Sequence, residues 1–171
     1  MVDHVSYYNG IASGYDSLHK EEQLKKFQIV DDSGIIISSD NLLDVGCGTG
    51  FSLNYFKVKS ATGIDPADKL VEQYFGSQKI LVGPAEELPF EDSSFDVVVS
   101  FTAIQNFDDV RKGLSEIKRV GKNRFALTIL KGVSFFDEIE STLREVFPDD
   151  AFSIEKIEED KDYIFIIRAK F

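Results

Sequence analysis

The sequence predicts an α/β protein built on an open, doubly wound, mostly parallel sheet. Three observations predict it. The apolar run Leu42-Leu43-Asp44-Val45 leads into Gly46-Cys47-Gly48-Thr49-Gly50, and a helical pattern follows at once. Such a strand, glycine loop and helix open a nucleotide-binding sheet. Short apolar runs at 61–65, 79–82, 95–100 and 124–130 come next, most of them separated by helix-length patterns. Two last runs, 152–157 and 163–169, flank the acidic turn 158–162 and read as an antiparallel hairpin. Seven strands result.

Taken in order, Tyr8, Ile11, Ala12 and Tyr15 share one helical face, although Gly10 and Gly14 weaken that helix. Residues 18–30 read as a charged, exposed helix with Leu24, Phe27 and Val30 inward. Ile35, Ile36 and Ile37 form a connection or short strand. The loop helix spans 49–56, and a second helix 67–75, where Pro66 suits a first turn. Val110, Leu114 and Ile117 put a helix over 108–120, stopped by Gly121. An apolar stripe from Phe135 to Phe147 makes the last helix, with Pro148 beyond it. The adjacent Phe135 and Phe136 do not both fit one core, so one of them is expected to face outward.

A chain of 171 residues fits one domain: an N-terminal helical lid or extension over 1–40 and a cofactor-binding core over 41–171. With 15 Phe and no Trp, phenylalanine and aliphatics fill the core. The longest apolar runs are far below the ~20 residues that span a bilayer, so no membrane span is expected. No secretory pattern is visible, and the cytoplasm follows as compartment. The one cysteine, Cys47, excludes an internal disulfide and reads as packing. His4 and His19 lack metal-ligand spacing, so no metal is expected. With 19 basic against 30 acidic residues, the net charge of −11 disfavours nucleic acid as a direct ligand. Lys20, Lys25, Lys26, Lys57 and Lys59 belong to a solvated mixed surface.

The glycine loop sets the ligand chemistry. Alternating glycines allow positive φ and close backbone approach. A pyrophosphate-binding turn has the spacing G-x-G-x-x-G, whereas here it is G-x-G-x-G, with Asp44 two residues before the first glycine. A carboxylate there repels phosphate in a low-dielectric cleft and favours a cation. S-adenosylmethionine fits, having adenosine, a sulfonium and an ammonium but no phosphate. Asp65 ends the second strand about 20 residues on, the place of a ribose-binding carboxylate. It is also placed to cap the helix that follows.

From Leu42 through Gly50 the chain resembles the class I S-adenosylmethionine-dependent methyltransferases, whose sheet is Rossmann-like. It is most similar to the branch with the small methyltransferase type 11 domain, which includes ubiquinone/menaquinone-biosynthesis enzymes. Tyr8-Asn9-Gly10-Ile11-Ala12-Ser13-Gly14-Tyr15-Asp16 resembles that branch's Y-x-x-I/V-A-x-x-Y-D stretch, which implies a segment over the cofactor mouth with Tyr15 near the donor; the alternative is a simple N-terminal anchor. Gly83-Pro84-Ala85-Glu86-Glu87-Leu88-Pro89-Phe90 and Ser94-Phe95-Asp96-Val97-Val98 are similar to the family's G-D-A-E-x-L-P-F and S-F-D-V-V. The family's adenine-binding acid is Pro84 here, leaving Ala85 and Glu86 as the candidates. The resemblance implies S-adenosyl-L-methionine as cofactor, held by Tyr15, Asp44, Gly46, Cys47, Gly48, Gly50, Asp65, Pro66, Ala85, Glu86, Phe101 and Thr102. Phe101 and Thr102 lie in the loop after the fourth strand, which in the family offers carbonyls to the methionine ammonium.

The histidines common in relatives at this loop are Gln105 and Asn106 here, so no obvious base is present. Tyr15, Gln105 and Asn106 remain as catalytic candidates. No N-P-P-Y or D-P-P-Y stands here, which argues against methylation of base or glutamine amino groups. A nicotinamide-dependent oxidoreductase is opposed by the loop spacing and Asp44. With few insertions to enclose a small acceptor, the expected acceptor is a macromolecule on an open face, or a partner subunit completes the site. An inactive, cofactor-binding subunit is the alternative to an enzyme.

Overall fold

The computed structural model describes residues 3–171. Seven strands form one sheet in the order β3-β2-β1-β4-β5-β7-β6: β1 Asn41–Val45, β2 Ser60–Asp65, β3 Lys79–Val82, β4 Phe95–Ser100, β5 Gly121–Leu130, β6 Phe152–Glu158 and β7 Asp162–Ala169. The first five are mutually parallel, and β7 runs antiparallel between β5 and β6. The chain leaves β1 toward β2 on one side and later returns to β4 on the other. Strand order therefore reverses at β1/β4, where such sheets bind ligands beyond the carboxyl ends.

The helices are α1 His4–Ile11, α2 Tyr15–Asp32, α3 Phe51–Tyr55, α4 Asp68–Val71, α5 Val110–Val120 and α6 Phe136–Val146. Side chains alternate along buried strands and fill two cores. Leu43, Val45, Val98, Phe125, Leu127, Phe165 and Ile167 join Leu114 and Ile117 of α5 and Ile139 and Leu143 of α6. Leu42, Val97, Val99, Ala126, Ile164 and Ile166 join Phe27 and Val30 of α2 and Leu53 of α3 on the other face. Each fully buried large aliphatic or Phe contributes about 1.5–3 kcal/mol by leaving water.

The structure corrects some sequence expectations and decides others. The helix expected over 67–75 is the four-residue α4: past it the Gln73 and Tyr74 N–H groups donate to the carbonyls three residues back, Leu70 and Val71 (both 3.0 Å), the Tyr74 ring packs on the core beside α3, and Phe75 is 93% exposed. Gly121 ends α5 but is extended and begins β5, pairing with Phe95. The Ile35–Ile37 stretch is a connection, tied by Asp40, which accepts from the Ile37 N–H (2.8 Å) and grips the Arg124 guanidinium through both oxygens (2.6 and 2.9 Å). Phe136 packs toward the core while Phe135 is exposed. Lys26, expected on a solvated surface, is 2% exposed and ion-paired with buried Asp162. Among the described residues, no helix is long and apolar enough to cross a membrane.

Candidate functional site

The loop between β1 and α3 turns on three glycines at positive φ: Gly46 (+77°), Gly48 (+56°) and Gly50 (+78°). The N–H groups of Gly46 and Cys47 both donate to the Ile64 carbonyl (2.8 and 3.1 Å), docking the loop on β2. A Cβ on Gly46 would lie 2.4 Å from the Ala103 Cβ, so the loop after β4 closes on bare backbone. The ring of Tyr15, at the start of α2, lies over Gly48.

Two carboxylates stand at the strand ends. Asp44, on β1, is 2% exposed. Ser52 at the start of α3 donates to its Oδ2, and its Oδ1 has no partner among the described residues. Burial pushes this carboxyl up to about 7, against the pull of the Ser52 hydrogen bond. Asp65 ends β2. Its Oδ2 accepts from the Gly48 N–H (2.9 Å) and its Oδ1 from the Ala67 N–H (2.8 Å), while burial raises its pKa. The carboxylate thus braces the glycine loop and the turn before α4, whose N-cap is Ala67 rather than Asp65.

A cavity of about 300 Å³ opens above these groups, the size of a small-ligand site. It gathers Tyr15, Gly46, Asp65, Pro66, Ala85, Glu86, Phe101, Thr102 and Asn106 of the sequence candidates. A smaller pocket of about 30 Å³ lies beyond Tyr15 and holds Asp44 and Cys47; Tyr15, Gly46 and Phe101 wall both spaces. Gly48, Gly50 and Gln105 do not reach either wall. The Gly48 N–H is committed to Asp65, and Gln105 is buried with its Nε2 donating to the Thr102 carbonyl (2.8 Å). Glu86 Oε1 accepts from the Asp109 N–H (3.1 Å), and Pro84 also lines the large cavity. Burial raises the pKa of the Cys47 thiol, in keeping with packing.

Sequence reasoning expected an N-terminal segment over the mouth but named neither Asp3, His4 and Val5 nor Asp108 as lining it. Asp3, His4, Val5 and Tyr8 of α1 and its cap line the cavity, as does Asp108. The Tyr8 motif signalled part of this; nothing in the sequence signalled His4. The roof is fastened by side chains: Asn106 Nδ2 donates to the Tyr8 hydroxyl (3.0 Å), Asn9 bonds Asp68 (3.0 Å) and the Lys69 N–H (3.1 Å), and Gln73 bonds the Ala12 carbonyl. Ala12, Ala67, Leu70, Tyr8 and Tyr15 form a small apolar cluster beneath it. Four carboxylates, Asp3, Asp65, Glu86 and Asp108, line the cavity with neither Lys nor Arg.

Comparison with known proteins agrees with this geometry. A family model described as a methyltransferase domain, of type 11, matches residues 43–128, half of the chain. The chain is 33% identical over 102 residues to a demethylmenaquinone methyltransferase of Thermotoga maritima, covering 56% of this chain and 44% of that protein. It is 30% identical over 144 residues to the ubiquinone/menaquinone biosynthesis C-methyltransferase UbiE of Citrifermentans bemidjiense, covering 72% and 60%. The chain thus spans about half the length of the curated relatives it matches. Among solved structures, a chain from the complex between the Haloferax volcanii Trm112 methyltransferase activator and the putative methyltransferase superposes with a TM-score of 0.74 at 19% identity, over 96% of this chain and 98% of that one. From the glycine loop through β5, sequence match and strand order agree: the chain belongs to the class I S-adenosylmethionine-dependent methyltransferases, in the type 11 branch.

Proposed function

We propose that this chain transfers the methyl group of S-adenosyl-L-methionine to an acceptor that is neutral or cationic. The observation that carries the reading is the unpartnered Oδ1 of Asp44 beside the glycine loop. A buried carboxylate without a cation is costly. The cofactor's ammonium supplies one, and a phosphate-bearing nucleotide does not. Asp65 holds the ribose with the lone pairs its backbone contacts leave, Ala85 and Glu86 flank the adenine, and Gly46, Phe101 and Thr102 line the path between. When bound, the sulfonium supplies an electrophilic methyl and a good leaving thioether.

The chain's residues align the partners and exclude water. Positioning of that kind lowers a barrier by up to about 7–11 kcal/mol. Burial raises the pKa of the Tyr15 hydroxyl, so at neutral pH it stays protonated and is not a base. Asn106 positions without titrating. The four cavity carboxylates oppose an anionic acceptor.

Incubation with methyl-labelled donor and fractionated extract tests the reading. Label is expected in an uncharged or basic acceptor; failure to bind S-adenosylhomocysteine by calorimetry refutes it. A second reading, a subunit active only with a partner, draws support from the Haloferax volcanii neighbour, whose complex contains an activator. Labelled product formed by the purified chain alone disposes of it.

A further inference from the structure

Thr102, just past β4, has φ +53°, a conformation that a β-branched residue holds only under restraint. All of its polar groups are held. Its N–H donates to Thr128 Oγ1 (2.8 Å), its carbonyl accepts from Gln105 Nε2 (2.8 Å), and its hydroxyl donates to Asp162 Oδ2 (2.7 Å) while accepting from Lys26 Nζ (2.7 Å). The Thr128 hydroxyl donates to the same Asp162 oxygen (2.8 Å), and the Lys26 ammonium lies 3.2 Å from the other. Lys26, Thr128 and Asp162 are buried, and they come from α2, β5 and the first residue of β7. A buried ion pair is a poor source of net stability but a directional one.

The direction is readable. The chain has no cis peptide among its described residues, so the Phe101 carbonyl points opposite to the Thr102 N–H. That N–H points toward Thr128 on β5. The carbonyl belongs to Phe101, which walls both the large cavity and the small pocket that holds Gly46 and Asp44.

We infer that Lys26, Asp162 and Thr128 form a positioning device, which locks Thr102 in its strained conformation and so aims the Phe101 carbonyl at the ammonium end of the cofactor. These residues touch no ligand; they act through Thr102. The inference rests on the cofactor reading above.

The test uses the full chain and two ligands, S-adenosylhomocysteine and 5′-methylthioadenosine, which lacks the amino-acid group. Thr128→Val is expected to weaken S-adenosylhomocysteine on the order of tenfold, the size of one charge-assisted hydrogen bond, and to leave 5′-methylthioadenosine unchanged. Thr128→Ser, which keeps the hydroxyl, restores binding. The double variant Lys26→Met/Asp162→Asn, which removes both charges together, moves in the same direction as Thr128→Val. An equal loss for both ligands, or no loss in Thr128→Val while the wild type binds S-adenosylhomocysteine, overturns the inference alone. A wild type that binds neither ligand overturns the cofactor reading and this inference with it.

Discussion

Replacing Asp44 by Asn tests the electrostatic core of the site. Asp44 is 2% exposed, and desolvation raises its carboxyl to about 7. Because this pKa is raised in the folded state, the folded chain holds a proton that the unfolded chain releases between about pH 4 and pH 7. Asp44 therefore favours the ligand-free fold at low pH, and that contribution is lost as pH rises through 7. Capture of an ammonium needs the ionised form, so cofactor binding has the opposite slope. With a pKa of about 7, roughly a tenth of Asp44 is ionised at pH 6 and roughly three-quarters at pH 7.5, where most of the ligand ammonium is still protonated. Affinity for S-adenosylhomocysteine is then expected to rise about eightfold over that interval. Calorimetry in two buffers of different ionisation enthalpy reads both the affinity and the proton released, close to one per binding event at pH 6. Asp44→Asn keeps the shape and the Ser52 contact but flattens the slope, leaving only what Asp65 adds. An identical slope in wild type and variant, or a flat wild type, refutes the reasoning.

Three further outcomes are expected. Gly46→Ala sets a Cβ against Ala103 at 2.4 Å on a backbone at φ +77°; a loss of about 1–3 kcal/mol in urea unfolding and a collapse of S-adenosylhomocysteine binding follow. Asp40→Ala leaves the Arg124 fork without its buried acceptor and destabilises by about 3 kcal/mol, read from the same unfolding curves. Amides of residues 5–14 exchange more slowly when S-adenosylhomocysteine is bound, and Tyr8→Phe weakens that protection by about 1 kcal/mol through loss of the Asn106 contact. Identical exchange with and without ligand means that α1 is an anchor and not a lid.

The parts of the fold with strong local signals were legible in the sequence. The alternating glycines, the acid at the end of each of the first two strands and the β-branched run Val97-Val98-Val99 each state their structure locally, and β3 and β4 fall on their expected residues. The acidic turn likewise marked the final hairpin. The misreadings are all tertiary. Nothing in a charged helix separates Lys26 from Lys25, because burial is decided by Asp162, far along the chain. The helix expected over 67–75 has adequate propensity, but Tyr74 packs on the core beside α3 and its hydroxyl accepts from the Gln78 N–H, contacts that the local pattern does not announce. The sequence marked Asp65 as a candidate ligand carboxylate, but its bracing of the Gly48 and Ala67 amides depends on a loop that returns from β1. Asp3 and His4 reach the cavity only because Asn106 and Asp68 pin α1 down.

The Lys26–Asp162 pair also has a bearing on the order of assembly during synthesis. The five parallel strands are complete once residue 130 has emerged, yet the residue that restrains the bend after β4 arrives only with β7. Until then Thr102 has no carboxylate to grip and Lys26 no counter-charge, so the nascent chain carries a nearly finished sheet with an unset ligand mouth. An ordered ligand mouth is thus gained only after β7 has emerged and Asp162 has met Lys26 of α2.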